Sequence, residues 1–452
     1  MTTGHTSEGT GGSPPRSLVA RLLSPIAEVR PGEAGDVLLM ALVMFLTLAA
    51  YYMLKTAREV FILSQGGAEV KSYSSAGQSL LLLLLVPAYG AFASRVNRTR
   101  LVRWVTLFFV SNIVLFYLAA GAGLRIGIVY FVWVGIFNVM VIAQLWAFSN
   151  DIFSPEQGKR LFPIIGLGAN LGAWAGSVRA GELVSVMGPL RLLLSGGGAL
   201  VICVLLVELV SRRAKRGQPR AVAAAAEKPL GKEGGFQLIF KDRYLTLLAL
   251  LAVLLNVVNT SGEYLFGRYV VETANALHGS GPEAAALRER YIGSTYSELY
   301  SAVNLTGFLT QMFIVSRVFK YLGVGKALFI HPLVAGIGYL FLLRRPSITA
   351  MHWIKVADNS LDYSLGNTTK QALWLPTSRE AKYKAKQAVD SFFVRAGDVL
   401  QAGTVYAGER LALTVPGFAG INIALVGAWL SVAAMINASL SRKAREENTA
   451  AL

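Results

Sequence analysis

Ten stretches of this 452-residue chain run for about the depth of a bilayer without one charged residue, and a water-soluble fold has no use for so many. Read from one charge to the next, they are 37–54, 72–94, 104–124, 126–150, 161–178, 192–207, 244–262, 299–316, 327–343 and 411–441. Two more segments, 346–370 and 386–409, have the length of a span but carry charges. The expectation is an all-α membrane protein of twelve spans. Composition agrees: charged residues make up 15% of the chain, against about 25% in an ordinary soluble domain.

The distribution of charge sets the expected topology. Of the 43 Lys and Arg, 28 fall in segments that are cytoplasmic if the N-terminus is inside: 16–30, 95–103, 159–160, 212–243, 317–326, 379–386 and 442–445. This is the positive-inside bias, and it accounts for the net charge of +17 without a nucleic-acid partner. Lys55, Arg58, Lys71 and Arg268 are among the cations assigned to the outside, Lys71 in a loop. The expected organisation is a disordered cytoplasmic tail over 1–34, a six-helix half over 35–211, a linker over 212–238, a second six-helix half over 239–440, and a short cytoplasmic tail over 441–452. The linker is basic, rich in Ala and Gly, and holds Pro219 and Pro229, so it has nothing with which to pack a core. Six plus six around a long loop is the major-facilitator arrangement. The location that follows is the cell's inner membrane, with a monomer lying in the lipid bilayer.

Several motifs exclude other chemistry. GLGANLG (166–172) has a nucleotide-loop look, but no strand precedes it. Gly168, Gly172 and Gly176 instead form a four-residue stripe suited to close helix contact. GVGK (323–326) lacks the first glycine of a Walker loop, and Ala327 stands where the magnesium-holding hydroxyl belongs. No ATPase engine is visible. Cys203 is the single cysteine, and His5, His278, His331 and His352 have no metal-ligand spacing, so neither a metal nor any other cofactor is expected. No Ser/His, His/Glu or paired-Asp spacing supports an intramembrane enzyme.

Charges inside spans carry the functional information, because each costs about 2.5–3.5 kcal/mol at mid-membrane. Lys355, Asp358 and Asp362 share one helix face, and Arg395 and Asp398 are three apart. Structural salt bridges and a solute pathway both explain them. Lys55, Arg58, Arg179, Arg268, Lys370 and Arg395 are spread over both halves, as an anion bound between the halves would require. Lys55, Arg58 and Arg268 sit near span ends, where snorkelling is the competing reading. Trp146 with Asn150, and Trp374 with Asn367 and Gln371, could stack and bond a base, though an interfacial aromatic belt also explains the tryptophans.

At these residues the sequence resembles the nucleotide transporters of plastids and intracellular bacteria, the non-mitochondrial ATP/ADP antiporters. The stretch LKTAREVFILSQGGAEV (54–70) places Arg58 and Glu59 on that family's basic–acidic pair. WAFSNDIFSPEQGKRLFPIIGLGAN (146–170) is similar to its aromatic–Ala–Asn helix end and charged loop, and Glu263 to Arg268 to its Glu–aromatic–basic run. SLGNTTKQALWLPTSREAKYKAKQAVD (364–390) keeps Lys370 and Pro376, but Asn367 and Gln371 replace two acids and Trp374 a tyrosine. The resemblance implies a carrier exchanging nucleotides by alternating access. Lys370, Arg395 and Arg179 would hold the anion, with Asn150 and Gln371 beside it. Lys55 and Arg58 would attract it from outside, Arg268 would be a further contact, and Glu59 and Glu263 would orient those cations or exchange with them. Asp390, Asp398 and the Glu156/Lys159/Arg160 loop are candidate gates. A carrier of another organic anion, a proton-coupled carrier, and a non-transporting protein on a carrier-like scaffold are the rival readings.

The topology is directly testable. With Cys203 removed, cysteines placed at 215 and 443 should be silent to an impermeant thiol reagent in intact cells, and one at 280 should label. Labelling at 215 without permeabilisation would reverse the sidedness.

Overall fold

The computed structural model describes residues 29–30, 33–93, 98–217 and 234–450, helical almost throughout and without a strand among the described residues. Before the linker the helices are α1 (Ala34–Ala93), α2 (Arg98–Gly121), α3 (Gly127–Ile152), α4 (Pro155–Met187) and α5 (Leu190–Gly217). After it come α6 (Gly235–Lys241), α7 (Arg243–His278), α8 (Ala285–Phe313), α9 (Val315–Ala327), α10 (Ile330–Arg344), α11 (Ile348–Leu361), α12 (Val394–Arg410) and α13 (Val415–Ala450). A π turn at Asp362–Gly366 carries α11 on into Asn367–Ala372, and further π turns at Ala381–Ala385 and Val389–Phe393 lead into α12.

Seven described helices are long and apolar enough to cross a membrane, with α8 and α9, bent by 73°, as a possible eighth. The sequence reading expects twelve spans, and the difference has physical causes. α10, α11 and α12 are 15, 14 and 17 residues long, short of a full span as single helices, and α11 and α12 are polar besides, with Lys355, Asp358, Arg395 and Asp398. α1 contains two arms. Gly67, at φ 74°, ψ −174°, takes a conformation open only to glycine and reverses the chain. The ammonium of Lys71 consequently lies 2.7 Å from a carboxylate oxygen of Glu59, whereas residues twelve apart on a straight helix are separated by about 18 Å.

The reversal at Gly67 corrects two sequence expectations. The first arm does not close at Lys55–Glu59 but continues to Gly66, which places Lys55, Arg58 and Glu59 inside the bundle. Lys71 is not in a loop; its side chain is only 9% exposed. The boundaries move as well. α5 stays helical through 217 and α6 begins at 235, which leaves 218–233 outside the described residues. α13 remains helical to Ala450 where a tail was expected. Of the N-terminal tail, 1–28 and 31–32 lie outside the described residues.

The glycine stripe does what its spacing implies. α4 lies against the first arm of α1 so closely that a Cβ on Gly168, Gly172 or Gly176 would fall 2.4, 2.1 or 2.4 Å from backbone atoms of Ala41, Phe45 or Ala49. Backbone cannot yield as a flexible side chain can. Gly172→Leu should therefore part the two helices, and thermal unfolding of the purified protein should show a large loss of stability. A stable Gly172→Leu protein would mean the stripe has no packing role.

Candidate functional site

The α1 reversal and the meeting of helices from both sides of the linker create a line of buried charges. Arg58 donates to Glu59 and lies over the Phe131 ring, 4.6 Å from its centroid. Glu59 is 0% exposed, accepts from Tyr300 Oη at 3.1 Å, and binds Lys71. Lys71 donates to Tyr296 Oη at 3.1 Å and reaches Glu263 on α7 at 3.6 Å. Glu263 accepts from Asn359 at 3.1 Å and lies 3.4 Å from Lys355, which is 0% exposed. Lys355 bonds the Asn259 amide oxygen at 2.9 Å and Asp358 at 3.1 Å, and Asp358 meets His331 at 2.9 Å. Six charged residues alternate in sign from Arg58 to Asp358, so each cation has its counter-ion at a depth where unpaired charge is expensive.

Two cavities flank this line and share Asn259. The central one, about 330 Å³, lies between helices from both sides of the linker. Lys55, Arg58, Lys71 and Arg395 face it, with Glu263 as the carboxylate among its lining residues, together with Gln78, Gln401, Tyr300 and Tyr363. Lys55 has no carboxylate within ion-pair distance among the described residues; its ammonium lies 4.1 Å from the centre of the Tyr300 ring. The wall thus carries a surplus of positive charge. The second cavity, about 320 Å³, extends toward the linker end and is lined by Lys370, Asn367, Gln371, Trp374, Asp362 and Asp390. Lys370 pairs with Asp362 at 3.1 Å, and Asp390 with Lys386 at 2.8 Å. π turns at Asp362–Gly366 and Val389–Phe393 present both carboxylates, and such turns frequently mark functional sites.

Most of the sequence candidates converge on these cavities, and some do not. Lys55, Arg58, Glu263 and Arg395 line the central one with Glu59 directly behind, while Lys370, Gln371 and Asp390 line the other. Arg179 was expected deep in the pathway, but its side chain is 60% exposed on α4, paired with Glu182 one turn on. Asn150 is exposed at the end of α3 and lines neither cavity. Arg268 ties α7 to α12 through Glu409 at 2.9 Å and is closer to a brace than to a ligand. Arg160 holds Glu33 with two hydrogen bonds at 2.9 and 3.2 Å, joining the starts of α1 and α4. Burial alone would raise the Glu33 carboxyl, and the Arg160 bonds outweigh it and hold it below the usual range. Glu156 is exposed, and the side chain of Lys159 lies outside the described residues. Asp398 is not Arg395's tight partner, at 3.8 Å, but is held by Asn256 at 2.8 Å and by Ser79 of the second α1 arm.

Sequence reasoning missed Lys71, Tyr300, Asn259 and His331, and left Lys355 open between a structural salt bridge and the solute pathway. The Gly66–Gly67 doublet was the available signal for Lys71, since it marks a chain reversal twelve residues beyond Lys55. The role of Lys71 yields a test that contradicts the loop reading. Lys71→Gln should destabilise the protein by about 3 kcal/mol, because it strands Glu59 in the interior. The double variant Lys71→Gln with Glu59→Gln should recover part of that loss in denaturant titrations of the purified protein. Strict additivity would mean the two charges are not coupled.

Comparison with known proteins agrees with this architecture. The chain is 24% identical over 331 residues to ADP,ATP carrier protein 1 of Chlamydia muridarum, covering 66% of this chain and 62% of that one. It is 22% identical over 359 residues to the plastidic ATP/ADP-transporter of Solanum tuberosum, covering 69% and 53%. The matched region thus spans less than two thirds of the length of these curated relatives. No family model matches the chain. Among solved structures, it superposes on the nucleoside transporter NupG with TM-score 0.61 at 12% identity, over 89% of this chain and 98% of that one. It superposes on a POT family transporter in complex with 5-aminolevulinic acid with TM-score 0.63 at 14% identity, over 90% and 96%. A bacterial homologue of the lysosomal transporter Spinster, in an inward-facing conformation, gives 0.57 at 16% identity, over 92% and 98%. The chain is therefore distantly similar to the ADP,ATP carrier proteins of chlamydiae, rickettsiae and plastids, on a multi-pass, helical, major-facilitator-like fold.

Proposed function

We propose that this chain is a non-enzymatic membrane carrier that exchanges adenine nucleotides, or closely related phosphorylated metabolites, by alternating access. One observation carries the reading: the central cavity sets four cations against one lining carboxylate, and helices from both sides of the linker build it. A polyphosphate is the solute that such a wall neutralises, with Arg58 and Arg395 able to grip two oxygens each and Lys55 held in reserve over Tyr300. The second cavity then suits the base, with Trp374 for stacking and Asn367 and Gln371 for its amide edges. The similarity to ADP,ATP carriers supports the same solute class.

Access follows from which parts are tied together. Tyr300 to Glu59, Ser297 to Ser177, Asn304 to Ser177, Gln401 to Ser72 and Asp398 to Ser79 join the two sets of helices on the side away from the linker. The Lys370 cavity leads toward the linker. With the linker and both termini in the cytoplasm of an inner membrane, this is a carrier closed outside and open inside. The protein would act as a monomer of two six-helix halves, 35–211 and 239–440, with Asp398 and Asp390 among the groups that change partners on opening.

Proteoliposomes should take up labelled ATP only when preloaded with ADP or ATP. Lys55→Gln or Arg395→Gln should lower affinity by about tenfold or more, given attraction in a partly dehydrated cavity, while Arg179→Gln should behave as wild type. Uptake that ignores internal nucleotide, or equal effects at all three positions, would sink the exchange reading.

A further inference from the structure

The nucleotide reading leaves one buried titratable group without a task. His331 sits on α10 among buried residues, with Nε2 2.9 Å from Asp358 and its ring edge-on to Trp429 at 4.9 Å between centroids. Asp358 also binds Lys355, so it is held as a carboxylate and can only accept. The neutral imidazole must then carry its proton on Nε2 and donate it to Asp358. Nδ1 is left as a free base, and it is buried with no hydrogen-bond partner. The indole nitrogen of Trp429 is buried and unpartnered too.

Both residues border a third cavity of about 20 Å³, whose lining also includes Lys370 and Gly366. That volume suits a single water with polar partners around it. Lys370 lines this small cavity and the larger linker-side cavity alike, so it stands between the buried base and the open end. The groups facing His331 are few. α11 contributes Asp358, with Lys355 beyond it, and its continuation carries Lys370 paired with Asp362, the latter beside Gly366. α7, α9 and α13 contribute Leu251, Ala327 and Trp429, which carry no charge.

We propose that His331, Asp358 and the small cavity beside Trp429 form a proton-binding site, filled from the linker side past Lys370, whose occupancy is coupled to anion binding in the central cavity. A hydronium ion in the small cavity gives its proton to Nδ1; one O–H bond breaks, one N–H bond forms, and water is left. The imidazolium then competes with Lys355 for Asp358. Lys355 turns to Glu263, 3.4 Å away, and Glu263 loosens its hold on Lys71. Lys71 faces the central cavity, so protonation at His331 strengthens that cavity's grip on an anion. By reciprocity, an anion in the cavity raises the proton affinity of His331. The coupling rests on the carrier reading, whereas the proton site does not.

Two measurements test the two parts separately. The chain has four histidines, so ¹⁵N-histidine spectra of the full protein in nanodiscs, assigned with His331→Gln, can follow each ring. His331 should gain a second proton on acidification, its neutral form should be protonated on Nε2, and Asp358→Asn should change that response. A ring that stays in one state on acidification, or a neutral form protonated on Nδ1, would overturn the site. Should Asp358→Asn fail to fold, the wild type still decides, since the imidazolium should quench a fluorescence component that Trp429→Phe removes. For coupling, the readout is labelled-ATP uptake by ADP-preloaded proteoliposomes. Uptake at pH 6 should exceed uptake at pH 8 by about fivefold, the low end of usual coupling, and His331→Gln should flatten that profile. ATP uptake in the wild type with no pH dependence would leave the site standing and overturn the coupling.

Discussion

Charge buried at membrane depth is what the rest of this structure depends on. The run from Arg58 through Glu59, Lys71, Glu263 and Lys355 to Asp358 places six ionised groups where each alone would cost about 2.5–3.5 kcal/mol. Neutralised in alternation, they become tolerable only once α1, α7 and α11 have come together. α11 can pair Lys355 with Asp358, but α1 has two cations for Glu59 and α7 has Glu263 with no cation of its own in the line, so the ions act as a requirement for assembly. The hydrophobic effect cannot supply that requirement inside lipid, because an aliphatic side chain gains nothing by leaving lipid for protein. Glycine contact between α1 and α4 provides close packing, and the ion line provides the specificity of which helices must meet.

The same line explains how a cavity can be both stable and responsive. Lys71 and Arg58 serve a carboxylate on one side and face open volume on the other. A solute phosphate would therefore compete with Glu59 and Glu263 for cations already in place, with little rearrangement of the wall. Competition of this kind keeps the site from collapsing when it holds no solute and limits how tightly it can hold one, and a carrier needs both. Lys55 is the exception. With only aromatic rings for partners, it has the most to gain from an arriving anion.

The class of the fold was legible because apolar run length is a one-dimensional property, and so was the close-packing face of α4, though not its partner α1, because its spacing of four is local. The turn between the first two arms was not. Charge had been used to mark where a span ends, and Lys55, Arg58 and Lys71 were placed outside the membrane on that rule. The rule fails where charges neutralise each other within the bundle, and a single sequence does not show which cation meets which anion across 192 positions, as Lys71 meets Glu263. Arg179 failed for the opposite reason. Depth along a helix is readable from sequence, but the face a residue presents is not when every face is apolar, and its partner Glu182 was already within one turn. The amides and tryptophan at 367, 371 and 374 were found by motif, which needs no knowledge of the face.

The π turns at Asp362–Gly366, Ala381–Ala385 and Val389–Phe393 carry one more consequence. Each holds one residue more than an α-turn would, and that extra residue can travel along the helix by exchanging one carbonyl acceptor for the next. Every position it passes is rotated by about 100°, one residue's share of a turn, with no change in the helix beyond. Asp362 and Asp390 sit at the first and second positions of two such turns, so migration by a single step would swing either carboxylate out of one cavity wall and into a different neighbourhood. These helices can re-aim their charges by sliding a defect, and the bundle around them need not come apart.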